Sequence, residues 1–392
     1  MHLKLYRHLL PACFLITVAV SAHAQSPVII SKDLRLPNDT AISRMLINSL
    51  NGFLAQITQP AKDNKYVAHE YLPETSILLD ELKGIEPNTS LKNDHFYKPY
   101  LTNITELNNG EFVLQLAYMG VNAGTPLLRS SYRLMARKQG DGYCFYSPMQ
   151  RQTLTWKTKK MGYITCYYKD TLNLAEIKSY QKTLDLYASK LKTPDWPVKL
   201  YYCDNLPEVL QLLGVDYVAD YNGVKSIDRT THENNTYLVL NGGYYPGQRF
   251  DTHDLFHERL RLVMKPEIIN RPVDEGCAYL YGGSWGYTWV EIKARFKKYL
   301  DANPNPDWLP LYTTVANFED GQRPLKVNYV LNALIAQKLE KEKGFAAVLE
   351  LLGCGKREPD DANYFRALEK LAGINKANFN ARMTELVKAE RF

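Results

Sequence analysis

Two histidines with the spacing of metal ligands lie in the second half of the sequence. The run from Asp251 to Met264 contains His-Asp-Leu-Phe-His followed by apolar residues at helical spacing, and Asp251 or Thr252 can cap the helix. His253 and His257 are four positions apart, so both imidazoles project from one helix face, one turn apart. Two imidazoles in this arrangement can occupy adjacent positions around a tetrahedral zinc ion.

A catalytic zinc ion needs a third protein ligand and one position left open for water. The run Pro-Val-Asp-Glu-Gly-Cys-Ala, a loop downstream of the histidines, supplies a candidate in Glu275. The sequence therefore predicts a metal site made of His253, His257 and Glu275.

The elements around these residues are predicted from periodicity. The segment Thr236 to Leu240 (Thr-Tyr-Leu-Val-Leu) has the composition of a strand and ends at Asn-Gly-Gly, just before the histidine helix. Farther on, Tyr329 begins a helix with a core stripe of leucines and an isoleucine. In a chain with 28 tyrosines, a tyrosine on such a helix can also simply pack.

The combination resembles the gluzincin metallopeptidases, whose helix reads H-E-x-x-H. His253 and His257 match the two histidine ligands, and Glu275, in a Glu-Gly-x-Ala context, matches the third ligand. Tyr329, in Tyr-Val-Leu-Asn-Ala, resembles the Tyr-x-x-x-Ala helix start of this family. The resemblance covers approximately residues 165–352 and implies a peptidase MA-like zinc fold, with peptide-bond hydrolysis by a zinc-activated water.

The resemblance also implies roles for the remaining positions. Tyr329 corresponds to a tyrosine that helps to stabilise the oxyanion, and the strand Thr236 to Leu240 corresponds to the edge strand along which an extended substrate lies. Asp254 stands where the family has its glutamate general base. The aminopeptidase signature Gly-x-Met-Glu-Asn is absent, so an exopeptidase of that branch is not supported.

The substitution at Asp254 leaves the chemistry open. Asp is one methylene shorter than Glu, a loss of reach of about 1.5 Å, whereas a general base must lie within about 3.2 Å of the proton or act through one water. Asp254 also lies in the first helical turn, where an acid favours the helix dipole regardless of catalysis. A catalytic base and a structural acid are equally compatible with the sequence.

The first half has a different organisation and no catalytic constellation. Apolar residues at helical spacing follow Thr40, a shorter helix runs from Ser76 to Lys83, and β-rich segments then alternate with turns. These segments are Glu111 to Tyr118, Ser130 to Ala136, Tyr143 to Tyr146, Thr153 to Thr158 and Tyr163 to Tyr168. The order predicts an α+β domain over residues 25–160 that loosely resembles the cone-shaped domains related to nuclear transport factor 2. A zincin-like metallopeptidase domain is expected over residues 161–392.

The first 24 residues have the pattern of a secretory signal peptide. Lys4 and Arg7 precede an apolar run, and Ala22-His-Ala24 forms a small-residue cleavage site before Gln25. We therefore expect export to the periplasm or the extracellular space. The apolar run is too short to span a bilayer.

Composition and cysteine usage exclude some partners and some kinds of site. The net charge of +6 is modest and without dense basic blocks, so nucleic acid is not an expected partner. Five cysteines follow residue 24, and their wide spacing excludes a C-x-x-C site. Because their number is odd, at least one of them is a free or intermolecular thiol in an exported protein. Cys144 and Cys166 lie on neighbouring predicted strands and form the one candidate disulfide, a question of geometry that spacing leaves open.

Two functions follow from these observations. The first is an exported zinc endopeptidase acting on peptides or proteins, with Asp254 as the base. The second is a catalytically degenerate peptidase fold that serves as a peptide-binding or structural module. The sequence predicts neither the substrate preference nor the oligomeric state.

Overall fold

The computed structural model describes residues 26–222, 228–244 and 249–390. The segment predicted to be a signal peptide, residues 1–24, lies outside these ranges. Within them the chain is a mixture of helices and sheets, which confirms the α+β class. No helix in these ranges has both the length and the apolar character needed to cross a membrane.

Strands of the described residues form three sheets. In chain order they are β1 (Ile29–Ile30), β2 (Lys98–Glu106), β3 (Phe112–Asn122), β4 (Thr125–Gln139), β5 (Gly142–Tyr146), β6 (Lys157–Met161), β7 (Ile164–Tyr168), β8 (Val198–Tyr202), β9 (Val215–Val218), β10 (Arg229–Glu233), β11 (Thr236–Asn241), β12 (Asn317–Glu319) and β13 (Leu325–Lys326).

Helices precede the first sheet and make up most of the chain after β11. They are α1 (Thr40–Ala55), α2 (Leu72–Leu82), α3 (Met149–Gln152), α4 (Leu174–Leu191), α5 (Leu206–Leu213), α6 (Thr252–Arg261), α7 (Arg271–Gly282), α8 (Trp289–Ala302), α9 (Trp308–Thr313), α10 (Val327–Lys343), α11 (Phe345–Leu352), α12 (Ala362–Ala372) and α13 (Phe379–Ala389).

The first sheet contains three of the predicted strands, as β3, β4 and β5, together with β2, which the sequence analysis did not predict; the predicted strand Tyr163–Tyr168 is β7 and lies in the second sheet. Strands β2 to β5 pair in sequence order, β1 lies parallel to β2, and β9 from the second half pairs with β4. Helix α1 buries Leu46, Leu50 and Phe53 in the same core as the inward residues of β3 and β4. Asp39 caps this helix, since its carboxylate accepts from Ala41 N at 2.8 Å.

The second sheet has the order β10-β11-β8-β7-β6. Strand β8 is parallel to both of its neighbours, whereas β10 and β6 are antiparallel additions at the two edges. The prediction that Thr236–Leu240 is an edge strand is therefore wrong. That segment is β11, an inner strand, and β10 covers the edge because the short turn at Asn234-Asn235, with both residues at positive φ, folds the chain back as a hairpin.

Strand β11, in the interior of this sheet, is buried on both faces, which explains its continuous apolar run. Tyr237 and Val239 face a core shared with helices α4 and α6, whereas Leu238 and Leu240 face the core of the first half. The alternation follows from the two-residue period of a strand. The sheet thus forms the layer between the first half of the chain and the helices that carry the candidate site.

Three further sequence predictions can be compared with the structure. The segment Thr153–Thr158 is wrong as a strand, because a helical turn, α3, extends to Gln152 and β6 begins only at Lys157. The candidate disulfide does not form: Cys144 is in β5 and Cys166 in β7, in different sheets, and all five cysteines of the described ranges are free thiols. The expected boundary between residues 160 and 161 falls inside β6, so the two-domain division remains a prediction.

Candidate metal centre

The site begins with the cap of helix α6. The Asp251 carboxylate accepts hydrogen bonds from the backbone N–H groups of His253 and Asp254, both at 3.1 Å. Asp251, and not Thr252, is therefore the N-cap, which leaves the hydroxyl of Thr252 to donate to the Gly282 carbonyl at 2.7 Å. These bonds fix the first turn of the helix against the end of α7.

The two histidines direct the same ring atom to one point. His253 Nε2 and His257 Nε2 are 3.2 Å apart, and the ring planes are nearly perpendicular at 83°. The opposite ring nitrogens are both held: His253 Nδ1 lies 2.7 Å from the Gly283 carbonyl, and His257 Nδ1 lies 2.8 Å from Asp274 Oδ1. A carbonyl and a carboxylate only accept, so each neutral ring carries its proton on Nδ1.

This tautomer has a direct electrostatic consequence. With both Nδ1 atoms protonated, the Nε2 lone pairs of His253 and His257 face one another across 3.2 Å. Such an arrangement is repulsive unless a proton or a metal cation lies between the two atoms. Orientation of ligand histidines through a carboxylate or a carbonyl on the other nitrogen is the usual arrangement in metal sites.

A carboxylate, that of Glu275, lies beside the ring of His253. Its Oε2 lies 3.5 Å from His253 Nε2, and its Oε1 lies 3.4 Å from the Arg271 guanidinium. Burial would lower the pKa of His253, but the bonds with Glu275 and the Gly283 carbonyl raise it above the usual value. Burial would raise the pKa of Glu275, but His253 and the charge of His257 lower it. The pocket therefore favours a positive charge beside an ionised carboxylate.

Glycines allow the helices of the site to approach closely. A Cβ on Gly276 would lie 2.5 Å from the Asn332 Cβ, so α7 and α10 touch here with no room for a side chain. A Cβ on Gly282 would lie 2.4 Å from the Thr252 carbonyl oxygen, at the contact between α7 and α6. Gly283 ends α7 at φ 77°, a left-handed conformation that suits glycine, and so presents its carbonyl to His253.

Asp254 and Tyr329, the two predicted catalytic residues, line the same cavity as His253 and Glu275. Asp254 is exposed, and one of its carboxylate oxygens lies within 4.8 Å of a ring nitrogen of His253 and of His257. Tyr329 is half-buried in the first turn of α10 with its ring edge-on to Tyr279. Burial raises the pKa of Tyr329, so its hydroxyl remains a hydrogen-bond donor at neutral pH.

The cavity has a volume of about 880 Å³ and two distinct walls. One wall, called here the helix wall, comes from α7, the loop before β13 and the start of α10. The other, the sheet wall, comes from β10, β11, α4 and α6. His257 is buried and lies behind the cavity surface, not on it.

A buried hydrogen-bond cluster forms the centre of the sheet wall. Glu258, the residue after the second histidine, accepts from Thr230 Oγ1 at 2.8 Å and from the Tyr237 hydroxyl at 2.7 Å. Burial raises the pKa of Glu258 and raises that of nearby Asp228 to about 8. Asp228 accepts from Asn241 Nδ2 at 2.7 Å. The cluster connects β10 to the histidine helix and so positions α6 against the sheet.

All five predicted site residues thus lie together, and the structure adds groups that the sequence reasoning missed. Asp274 was noted only as the neighbour of Glu275, and the Gly283 carbonyl and Glu258 were assigned no role. Because the Gly283 carbonyl belongs to the backbone, the residue types in the sequence do not indicate its contact with His253. The Asp274-Glu275 pair is a partial signal, because adjacent residues on a helix point about 100° apart and can reach two different ligands.

Comparison with known proteins adds no assignment. Neither a scan against protein-family models nor a search of curated proteins found a match for the chain. The function must therefore be argued from the site itself.

Proposed function

We propose that the protein is a zinc-dependent metallopeptidase-like protein of the gluzincin type. The observation that carries the proposal is the 3.2 Å approach of His253 Nε2 and His257 Nε2, with an acceptor on each opposite nitrogen. Two histidine nitrogens bound to one tetrahedral zinc ion lie about 3.3 Å apart, given Zn–N bonds of about 2.0 Å. The two histidine nitrogens fit that ion. Asp254 is the carboxylate with an oxygen within 4.8 Å of a ring nitrogen of both histidines, and Glu275, whose Oε2 lies 3.5 Å from His253 Nε2, is the third ligand that we propose.

The residues of the chain then have separate tasks. His253, His257 and Glu275 hold the ion, which when bound polarises a carbonyl and lowers the pKa of a water molecule. Asp254 accepts the proton of that water and passes it to the leaving amine. Tyr329 donates a hydrogen bond to the oxygen on which negative charge develops. The substrate is a peptide or protein, and its extended backbone pairs with β10, the edge strand.

Asp254 stands where the resembled family has its glutamate base, and this difference favours the second candidate function, a peptide-binding module. The shorter reach of Asp254 suits a peptide-binding module that retains the metal but turns over slowly or not at all. We propose export to the periplasm or the extracellular space for either function, on the basis of residues 1–24.

A broad peptide library tests turnover. We expect zinc-loaded protein to cleave members of the library and chelator-treated protein to leave them intact. Asp254→Ala should lower the rate by about 10²- to 10⁴-fold, the typical contribution of a general base. Asp254→Glu, which restores the longer reach, should match or exceed the unmodified protein.

The control is Asp301→Ala, which removes a carboxylate from an exposed helical ion pair with Lys297. Cleavage that Asp254→Ala leaves unchanged would show that Asp254 is not the base. If only Asp254→Glu cleaves the library, the natural protein is the binding module.

A further inference from the structure

The two walls of the cavity carry charges of opposite sign. The helix wall presents three basic side chains, those of Arg271, Arg323 and Lys326, whereas the sheet wall presents three acidic ones, those of Asp251, Asp254 and Glu258, beside the protonated carboxyl group of Asp228. Glu275 of the helix wall lies 3.5 Å from His253, and Glu258, on the same helix as His253, bonds to Tyr237 of the sheet wall. His253, on α6 of the sheet wall, therefore lies where the two walls meet.

The basic side chains of the helix wall are placed for contact with a ligand. The Arg271 side chain is 81% exposed although its Nε contacts Glu275. Lys326 precedes α10, holds its ammonium 5.6 Å from the ring centroid of Tyr329, and makes no ion pair within the described part of the chain. Arg323 lies over the ring of Tyr287 at 5.4 Å. Glu275 is the single carboxylate among the cavity residues of this wall.

We propose that the helix wall binds a carboxylate of the peptide substrate, and that Arg271 and Lys326 provide most of this selectivity. This inference rests on the proposed function and specifies its substrate class: short peptides with a negative charge close to the scissile bond. Guanidinium and ammonium groups form charge-assisted hydrogen bonds with carboxylates, and a cleft with charges of one sign concentrates ligands of the other. A cavity of about 880 Å³ holds a ligand of a few residues.

The sheet wall determines the orientation. Its acidic side chains Asp251, Asp254 and Glu258 repel a carboxylate, so a peptide with one negative charge binds with that charge toward Arg271 and Lys326. The carboxylate has two possible sources, the C-terminus of the peptide or an aspartate or glutamate side chain.

Binding of matched peptides tests the proposal. The probes are three versions of one fluorescently labelled pentapeptide: with a free C-terminal carboxyl group, with a C-terminal amide, and as the amide with one glutamine changed to glutamate. Affinity is measured by fluorescence anisotropy with zinc-loaded and with chelator-treated protein. We expect at least one carboxylate version to bind about tenfold more tightly than the neutral amide, the factor of one charge-assisted hydrogen bond, and the better version identifies the source.

Variants of the helix wall test whether Arg271 and Lys326 cause the preference for a carboxylate. Arg271→Gln and Lys326→Gln should each remove most of the preference, and Lys326→Glu should reverse it. Lys298→Gln, an exposed lysine on α8, is the control and should keep it. Circular dichroism melting verifies the fold, and the exposed position of Arg271 makes its variant informative even if Lys326 variants unfold. Equal binding of all three peptides, no binding of any, or a preference that survives Arg271→Gln and Lys326→Glu would overturn the proposal.

The result of this binding test can be distinguished from the result of the peptide-cleavage test. Peptides bound with a carboxylate preference but never cleaved would contradict turnover and support this inference. Peptides cleaved without such a preference would support turnover and overturn it.

Discussion

At the scale of single residues, the site is defined by the groups that accept hydrogen bonds from the Nδ1 atoms of His253 and His257. His253 and His257 are oriented by different acceptors, a backbone carbonyl and a carboxylate. The carboxylate would have the larger effect on a bound metal, because a carboxylate that accepts from Nδ1–H makes the opposite nitrogen more basic. We therefore propose that Asp274 belongs to the centre together with the residues that would contact the ion.

Asp274→Asn tests this role. The amide oxygen can still accept the hydrogen bond from His257 but carries no charge, so we expect zinc affinity to fall by about 10- to 100-fold. Competition with a chromogenic chelator gives the affinity. Asp301→Asn, in an exposed ion pair, is the matched control and should keep it. If the affinity of Asp274→Asn equals that of the control, Asp274 does not act on the metal.

At the scale of elements, three helix ends converge on the site because glycines let them do so. Gly276 lies where α7 meets α10, one position after Glu275 and beside Ala333, which is one turn beyond Tyr329. Asn332 cannot move aside at low cost, since its amide donates to the Asn328 carbonyl and its oxygen accepts from the Tyr364 hydroxyl. Gly276 and Ala333, two positions on which the resemblance rests, are thus explained by the close packing of α7 against α10.

Gly276→Ala should disturb the stability and the metal site together. The added methyl group would overlap the Asn332 Cβ and the Ala333 nitrogen, at a cost of about 1–3 kcal/mol, and would displace Glu275. Urea unfolding and zinc titration measure the two effects. Gly84→Ala, with open space around its Cβ, should cost only the strain of a left-handed residue and leave zinc binding intact. Unchanged stability and zinc affinity in Gly276→Ala would contradict this packing.

The sequence predicted the helices better than the sheet order. The repeat of α1, the capped helix α6 and the strand run of β11 each contain their own signal, because periodicity and caps are local. Strand neighbours are not local: β9 pairs with β4 across more than eighty residues, and β10 covers β11 without a strong pattern of its own. The edge-strand prediction was wrong for this reason, and sequence spacing could not decide whether Cys144 and Cys166 were neighbours.

The proximity of His253 and His257 could be predicted from the sequence, because helical spacing fixes which side chains share a face. The groups that surround the two histidines could not be predicted in this way. The Gly283 carbonyl, the Glu258 cluster and the charged walls of the cavity arise only when α6, α7 and β10 come together.

At the scale of the whole molecule, a buried layer connects the two halves of the chain. The second sheet contributes to both large cores, and Arg229 of β10 pairs with Glu81 of α2 from the first half at 2.5 Å. The same strand carries Thr230, which bonds to Glu258 on the histidine helix. The site is thus supported through β10 by contacts that extend across the molecule.

The buried acid at the start of this strand predicts a pH dependence of stability. The carboxyl group of Asp228 is enclosed, and burial raises its pKa to about 8 from the usual value near 4. Between these values the folded state binds the proton and the unfolded state does not, so stability falls as pH rises, by at most about 1.4 kcal/mol per pH unit. Above the folded pKa this loss is complete.

Comparison with Asp228→Asn isolates the effect. Urea unfolding of both proteins in chelator, from pH 5 to pH 9, should show the variant gaining stability relative to the unmodified protein as pH rises toward 8, with no further gain above it. All other titrating groups cancel in the difference. A difference that does not change with pH would contradict an enclosed, protonated Asp228.

The central claim is that His253, His257 and Glu275 hold one zinc ion. The most direct measurement is zinc content by mass spectrometry of protein purified without chelator, together with the affinity after stripping and titration. We predict one zinc per chain, and a loss of about 100-fold or more in affinity for His253→Ala, His257→Ala and Glu275→Ala, each of which removes a direct ligand. His69→Ala, an exposed histidine of the first half, should bind zinc normally. Folded, unmodified protein that binds no zinc, or ligand variants that bind it as tightly as His69→Ala, would contradict the account.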